Sequence, residues 1–157
     1  MKKEFLKGFT VTLVILVIAF ASAVVSNAQS TISVVANIPF EFSVGNKALP
    51  AGEYTVQTVP SSNSALMVRS ANGKSAAIRL TEESDRTNGK AHAHLQFRRY
   101  GDRYFLTEVW DGFEPTGRRL LRSQEERAIE GELASIASKS ELAQSSYQTI
   151  EVLARVR

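Results

Sequence analysis

The chain has 157 residues, 43% apolar and 22% charged, with a formal net charge of +3 and no cysteine. That length fits one domain, and the absence of cysteine excludes disulfides as a source of stability. Removing Lys2, Lys3, Glu4 and Lys7, which all lie in the first ten residues, leaves +1 on the remainder, so no electrostatic case exists for nucleic acid, whose binding rests on many Lys/Arg–phosphate contacts.

The first 28 residues differ from the rest. After the basic start, an apolar run extends from Val11 to Val25, broken only by Thr12 and Ser22, and ends in Ser26-Asn27-Ala28. This is the anatomy of a secretory signal peptide cut between Ala28 and Gln29. The alternative is an uncleaved anchor, but the uninterrupted stretch Leu13 to Ala21 is short for a span of about 20 residues. The segment has no Arg-Arg pair, which favours the general export route, and without cysteine no lipid anchor follows it. The sequence therefore predicts a mature domain over 29–157, exported to the periplasm or the exterior, with no membrane association after cleavage. A domain of that size buries roughly two thirds of its unfolded surface, so a core alone can hold it.

From Ile32 to Val44 every even position is apolar. That period of two predicts a strand with one buried face. Pro39 lacks a donor, so the stretch reads as two strands, or one bent strand, meeting near Asn37–Pro39. Gly45-Asn46 is a turn. In "LPAGEYTV", Pro50 presets a turn angle, Gly52 closes it and Tyr54 begins a strand to Val59. The spacing resembles a tyrosine corner, with the ring buried and the hydroxyl bonded to backbone near Leu49 or Pro50.

Pro60 to Ser64 reads as a loop. Ala65–Ser70 and Ser75–Leu80 form a hairpin about Asn72-Gly73, with Met67 opposite Ile78 and Ala65 opposite Leu80. Both of its faces are apolar enough to suggest cover on each side. Thr81 to Gly89 reads as a charged loop. A second hairpin turns at Gly101-Asp102, where glycine in first place suits type II′. Continuous register sets Tyr100 against Arg103, Phe97 against Leu106, Leu95 against Glu108 and Ala93 against Trp110. Trp110 is then a core anchor on the Leu95, Phe97 and Leu106 face. Asp111 to Gly117 reads as a loop. Ser123 followed by Glu126 is a capping box, opening an amphipathic helix over about 124–139, with Ile129, Leu133, Ile136 and Ala137 on one face. A final strand covers about 148–156. The whole predicts an all-β fold, an antiparallel sandwich or flattened barrel of about eight strands, with one late helix.

Few residues suggest chemistry. His92 and His94 share a strand face, and Asp111, opposite His92 in the predicted register, would add a carboxylate. Zinc needs three or four protein ligands, and the chain has only two histidines. The same pattern suits two solvent-facing histidines. Glu108 alternates with Leu106 and Trp110, so its carboxylate would be partly desolvated, the setting of a general acid or of a strand-end residue reaching water. There is no G-x-S-x-G elbow and no phosphate-binding glycine loop, and nothing marks a cofactor. Arg98, Arg99 and Arg103 at the hairpin tip, and Arg118, Arg119 and Arg122 further on, read as a solvated surface or as a contact for anionic groups.

The stretches "NIPFEFSVGNKALPAGEYTV", "LQFRRYGDRYFLTEVW" and "SQEER" resemble a group of small exported proteins of environmental bacteria, which share an F-x-V-G-x-x-x-L-P-A-G-x-Y opening and an R-Y-G-D-x-Y-F-L hairpin. The resemblance implies export and single-domain organisation, and no activity. The leading expectation is a non-enzymatic exported β-domain that binds or scaffolds an envelope protein or polymer. The alternatives are a hydrolase-like or metal-dependent enzyme using Glu108 or His92/His94, and a subunit of an envelope assembly joined by strand addition through the Ile32–Val44 strand or the final one.

Overall fold

A computed structural model describes residues 32–85, 92–113, 115–137 and 147–157. The predicted signal segment, residues 138–139 of the expected helix and the stretch 140–146 after it lie outside them. Ten strands and one helix follow in chain order: β1 (Ser33–Ile38), β2 (Phe42–Val44), β3 (Lys47–Leu49), β4 (Gly52–Val59), β5 (Ser62–Ser70), β6 (Ala76–Asp85), β7 (His94–Tyr100), β8 (Arg103–Trp110), β9 (Thr116–Leu120), α1 (Gln124–Ala137) and β10 (Gln148–Val156). Eight of the strands close into an antiparallel barrel in the order β8-β7-β10-β1-β4-β5-β6-β9, with β9 returning to β8. The β2–β3 hairpin adds to β8 through one parallel bridge, Ser43 to Phe105.

Two long strands make the corners. β10 pairs with β7 over Gln148–Leu153 and with β1 over Ala154–Val156. β6 pairs with β5 over Ala76–Leu80 and with β9 over Thr81–Asp85. Thr81–Asp85, expected as loop, is therefore strand, and so is the end of the expected 111–117 loop. Short polar segments with at most one apolar residue carry no clear alternation, and pairing with each other is what makes them strands. The expected 60–64 loop shrinks to a tight turn between Val59 and Ser62. Of the strands expected to offer an edge, β1 lies between β10 and β4, and β10 pairs with β7 over its first six residues and with β1 over its last three.

An eight-stranded barrel is just wide enough for side chains to fill. Here Val34, Ala36, Ile38, Val56, Val68, Leu95, Phe97, Leu106 and Val109 do so, with Phe42 and Leu49 of the added hairpin. Phe42 meets Tyr54 and Phe97 edge-on, with centroids 5.1 and 5.5 Å apart. Pro39 to Glu41 separates β1 from β2, and Phe40 stacks on Tyr104 at 4.0 Å. The first hairpin has the predicted Met67–Ile78 and Ala65–Leu80 pairs. Its outer face is not covered, however: Ile78 is 64% and Leu80 57% exposed.

Tyr54 is fully buried, and its hydroxyl donates to the Pro50 carbonyl at 2.8 Å. Burial also pushes its phenol above the ordinary value. Tyr54→Phe is expected to cost about 1 kcal/mol, the net worth of one such bond, with the fold intact. Equal chemical-denaturation midpoints for the two proteins would count against a structural role for the hydroxyl.

The second hairpin departs from its predicted register. Gly101 has φ 59° and Asp102 is not positive, the pattern of a type II′ turn. Tyr100–Arg103 and Phe97–Leu106 pair as expected. Then a bulge intervenes. Gln96 pairs with Glu108, so Thr107 is the extra residue, and its hydroxyl donates to the Gln96 carbonyl at 2.9 Å. Beyond it Leu95 faces Val109 and His94 faces Trp110. A one-residue slip moves every later side chain to the other face. Val109 turns inward, while Glu108 and Trp110 turn to the outside of the barrel.

Candidate functional site

Three groups of side chains gather on the outer surface. The first follows from the bulge. Glu108 Oε1 accepts from Arg119 Nε at 2.8 Å and from Ser84 Oγ at 3.3 Å, and Glu108 Oε2 accepts from Trp110 Nε1 at 3.2 Å. Arg119 also donates to Ser84 Oγ at 2.8 Å. Strand pairing puts these residues side by side, since β6, β9 and β8 are neighbours in the closed barrel. Glu108 is thus not on the apolar face, and its carboxylate is bonded to three groups of the wall.

Trp110 is 5% exposed and lies outside the interior cluster. Its ring covers Gly117, where a Cβ would sit 2.5 Å from the indole; only glycine leaves room for that close approach. The His94 ring stacks on its other neighbour side, with centroids 6.0 Å apart and planes within 9°. The expected partner Ala93 and the shared face with Leu95, Phe97 and Leu106 are both displaced by the bulge. An unbroken period of two sets Leu106, Glu108 and Trp110 on one face, and no local residue marks the slip.

The second group is the hairpin tip with the start of α1. Ser123 caps the helix by accepting from Glu126 N at 3.0 Å. Glu126 then accepts from Arg98 Nη1 at 3.2 Å and from the Tyr100 hydroxyl at 3.4 Å. Burial, and secondarily the Glu126 carboxylate, push the Tyr100 phenol up to about 12. Arg99 donates to the Gly101 carbonyl at 2.6 Å and lies over Tyr104. Arg103 pairs with Glu125 and lies over Phe105. The three tip arginines do not converge on one anion; each is engaged with a different group. Arg118, Arg119 and Arg122 pair with Glu83, Glu108 and Glu130.

The third group brings His92 and His94 together with Glu151 of β10. One ligand atom from each residue lies within 4.8 Å of the other two. The carboxylate in reach is Glu151 and not Asp111, which is not part of this group. Asp111 Oδ1 accepts from Phe113 N at 3.0 Å, closing a local turn. Glu151 comes from a strand far away in sequence, and only the β7–β10 pairing reveals it.

A fourth feature had no motif to announce it. The outer faces of β1, β4, β5 and β10 enclose an open depression of about 590 Å³. Val35, Met67 and Val156 supply apolar lining. Thr55, Gln57 and Ser70 add hydrogen-bonding groups. Arg69, Arg155 and Arg157 face one carboxylate, Glu53, which Arg155 reaches at 3.4 Å. Val35, Glu53, Thr55, Gln57, Met67 and Arg69 are the outward residues that alternate with buried Val34, Tyr54, Val56 and Val68, while Ser70 and Val156 pair with Tyr54 and Val34 at the margin.

The geometry defines an antiparallel eight-stranded closed barrel with a filled interior and its polar groupings on the outside. The chain matches no family model, no curated protein and no solved structure. No helix among the described residues is long and apolar enough to cross a membrane.

Proposed function

We propose that the protein is an exported, non-enzymatic binding domain that holds an extended acidic peptide segment of an envelope partner in the depression over β1, β4, β5 and β10. The observation that carries this reading is the lining: three arginines against one glutamate, beside donors and a short apolar strip. Arginine forks match carboxylates in a two-point geometry. No aromatic ring lines the depression among the described residues, which favours a peptide over a sugar polymer, since rings are the usual stacking platform for apolar faces. The side-chain-filled barrel supports surface binding over carriage of a ligand inside. Export rests on the basic start, the apolar run and Ser26-Asn27-Ala28.

The full chain is expressed, and the purified protein is used to capture partners from its own envelope fraction, beside Arg69→Glu. Arg69 is exposed, so reversal should leave the fold intact. Retention of acidic partners is expected to weaken about tenfold or more, corresponding to at least about 1.4 kcal/mol. Identical capture by both proteins, or retention of neutral polymers alone, would reject the reading.

A further inference from the structure

Apart from the depression, the outer face of β7 and β10 brings two imidazoles and a carboxylate to one point. His92 Nε2 lies 3.0 Å from Glu151 Oε1. His94 Nδ1 lies 2.9 Å from the His92 carbonyl. A carbonyl only accepts, so this contact places the proton on Nδ1 and leaves Nε2 as the basic nitrogen of that ring. A backbone carbonyl fixing the tautomer in this way is the usual outer support of a metal-binding histidine. His94 is also held by burial and by its stack on Trp110.

We propose that His92, His94 and Glu151 form a binding site for a divalent transition-metal ion, Zn²⁺ or Cu²⁺. Two imidazole nitrogens and one carboxylate oxygen suit these ions. Ca²⁺ and Mg²⁺ prefer all-oxygen sets. Bonds of about 2.0–2.2 Å put tetrahedral donors about 3.4 Å apart. One ring nitrogen of each histidine and a Glu151 oxygen already lie within 4.8 Å of one another, and the remaining adjustment falls to His92 and Glu151, whose side chains are 47% and 27% exposed and can turn. His94 stays in place as the fixed ligand. Three protein ligands leave at least one position to water. The site does not depend on the peptide reading, and either can fail alone.

The chain has a single tryptophan, and it stacks on His94, so a bound Cu²⁺ reports itself by quenching Trp110 emission. Titration of the purified protein with Cu²⁺ is expected to give saturable quenching at one ion per chain, reversed by EDTA, with a midpoint raised by excess Zn²⁺, the weaker binder of the two. His92→Ala/Glu151→Gln, with circular dichroism as the check on folding, should shift the midpoint at least about tenfold, since even outer-shell changes cost 10–100-fold. Glu151→Gln alone is near-isosteric and should shift it in the same direction. Quenching that does not saturate, or a double-variant shift below about tenfold, overturns the proposal.

Discussion

Trp110→Ala is expected to yield a protein that is largely unfolded or rapidly cleaved by protease. Truncating a buried tryptophan typically costs about 3–5 kcal/mol, against the roughly 5–15 kcal/mol that holds a domain together. No disulfide compensates. The loss also reaches beyond the ring. Gly117 and the stacked His94 lose their cover, and Glu108 loses the indole N–H that it accepts at 3.2 Å. This indole seals the seam where β9 meets β8, a closure made by only two residue pairs, Glu108–Arg119 and Val109–Arg118. Limited proteolysis and urea midpoints check it. In the wild type, emission should be blue-shifted and poorly quenched by iodide. A red-shifted, readily quenched emission in the wild type, or a Trp110→Ala variant that still folds with an unchanged urea midpoint, would contradict the structural assignment.

The second large effect concerns Glu126. Its side chain is 4% exposed and that of Arg98 18%. Removing one partner of a buried pair leaves an uncompensated charge and costs about 3–5 kcal/mol in dry sites. Arg98 keeps some water, so Glu126→Ala is expected to cost roughly 2–4 kcal/mol. The same carboxylate accepts from Tyr100 and follows the helix cap, so α1 should detach from the hairpin. Tyr100 adds a pH dependence. Burial and the Glu126 carboxylate push its phenol up from the ordinary 10.0 to about 12. The stability tied to the protonated form is therefore complete below pH 10 and lost as the pH rises toward 12. Removing Glu126 withdraws one of the causes of that rise, so tyrosinate absorbance should develop at lower pH in the variant. An unchanged urea midpoint, or an unchanged alkaline titration, would contradict this account of the pair.

Much of the barrel was legible in the sequence because its signals were local. Ile32 to Val44 alternates cleanly, Pro39 breaks it, and Asn72-Gly73 and Gly101-Asp102 set turns whose near pairs follow by arithmetic. Ser123 and Glu126 mark the helix start. The losses came where pairing or curvature decides. Thr107 adds one residue without a glycine or proline to announce it, and that residue sends Glu108 and Trp110 to the outer face. Thr81–Asp85 and Thr116–Leu120 are strands only because they meet each other. Ile78 and Leu80 look like buried residues in a hairpin read alone, but the barrel leaves their face open. Of the candidate sites, the two histidines were visible and their carboxylate was not, since Glu151 lies on β10. The depression was invisible, because its residues come from four separate strands that only the sheet pairing sets side by side.

The most direct test of a binding role is residue-resolved. Amide chemical shifts of the labelled protein would be followed while a soluble acidic peptide is added. The account predicts saturable changes concentrated at Thr55, Gln57, Met67, Arg69 and Arg155, which weaken with salt as screening removes the charge attraction. Changes confined to the Arg98–Arg103 tip, spread evenly over the surface, or absent at saturating peptide would contradict it.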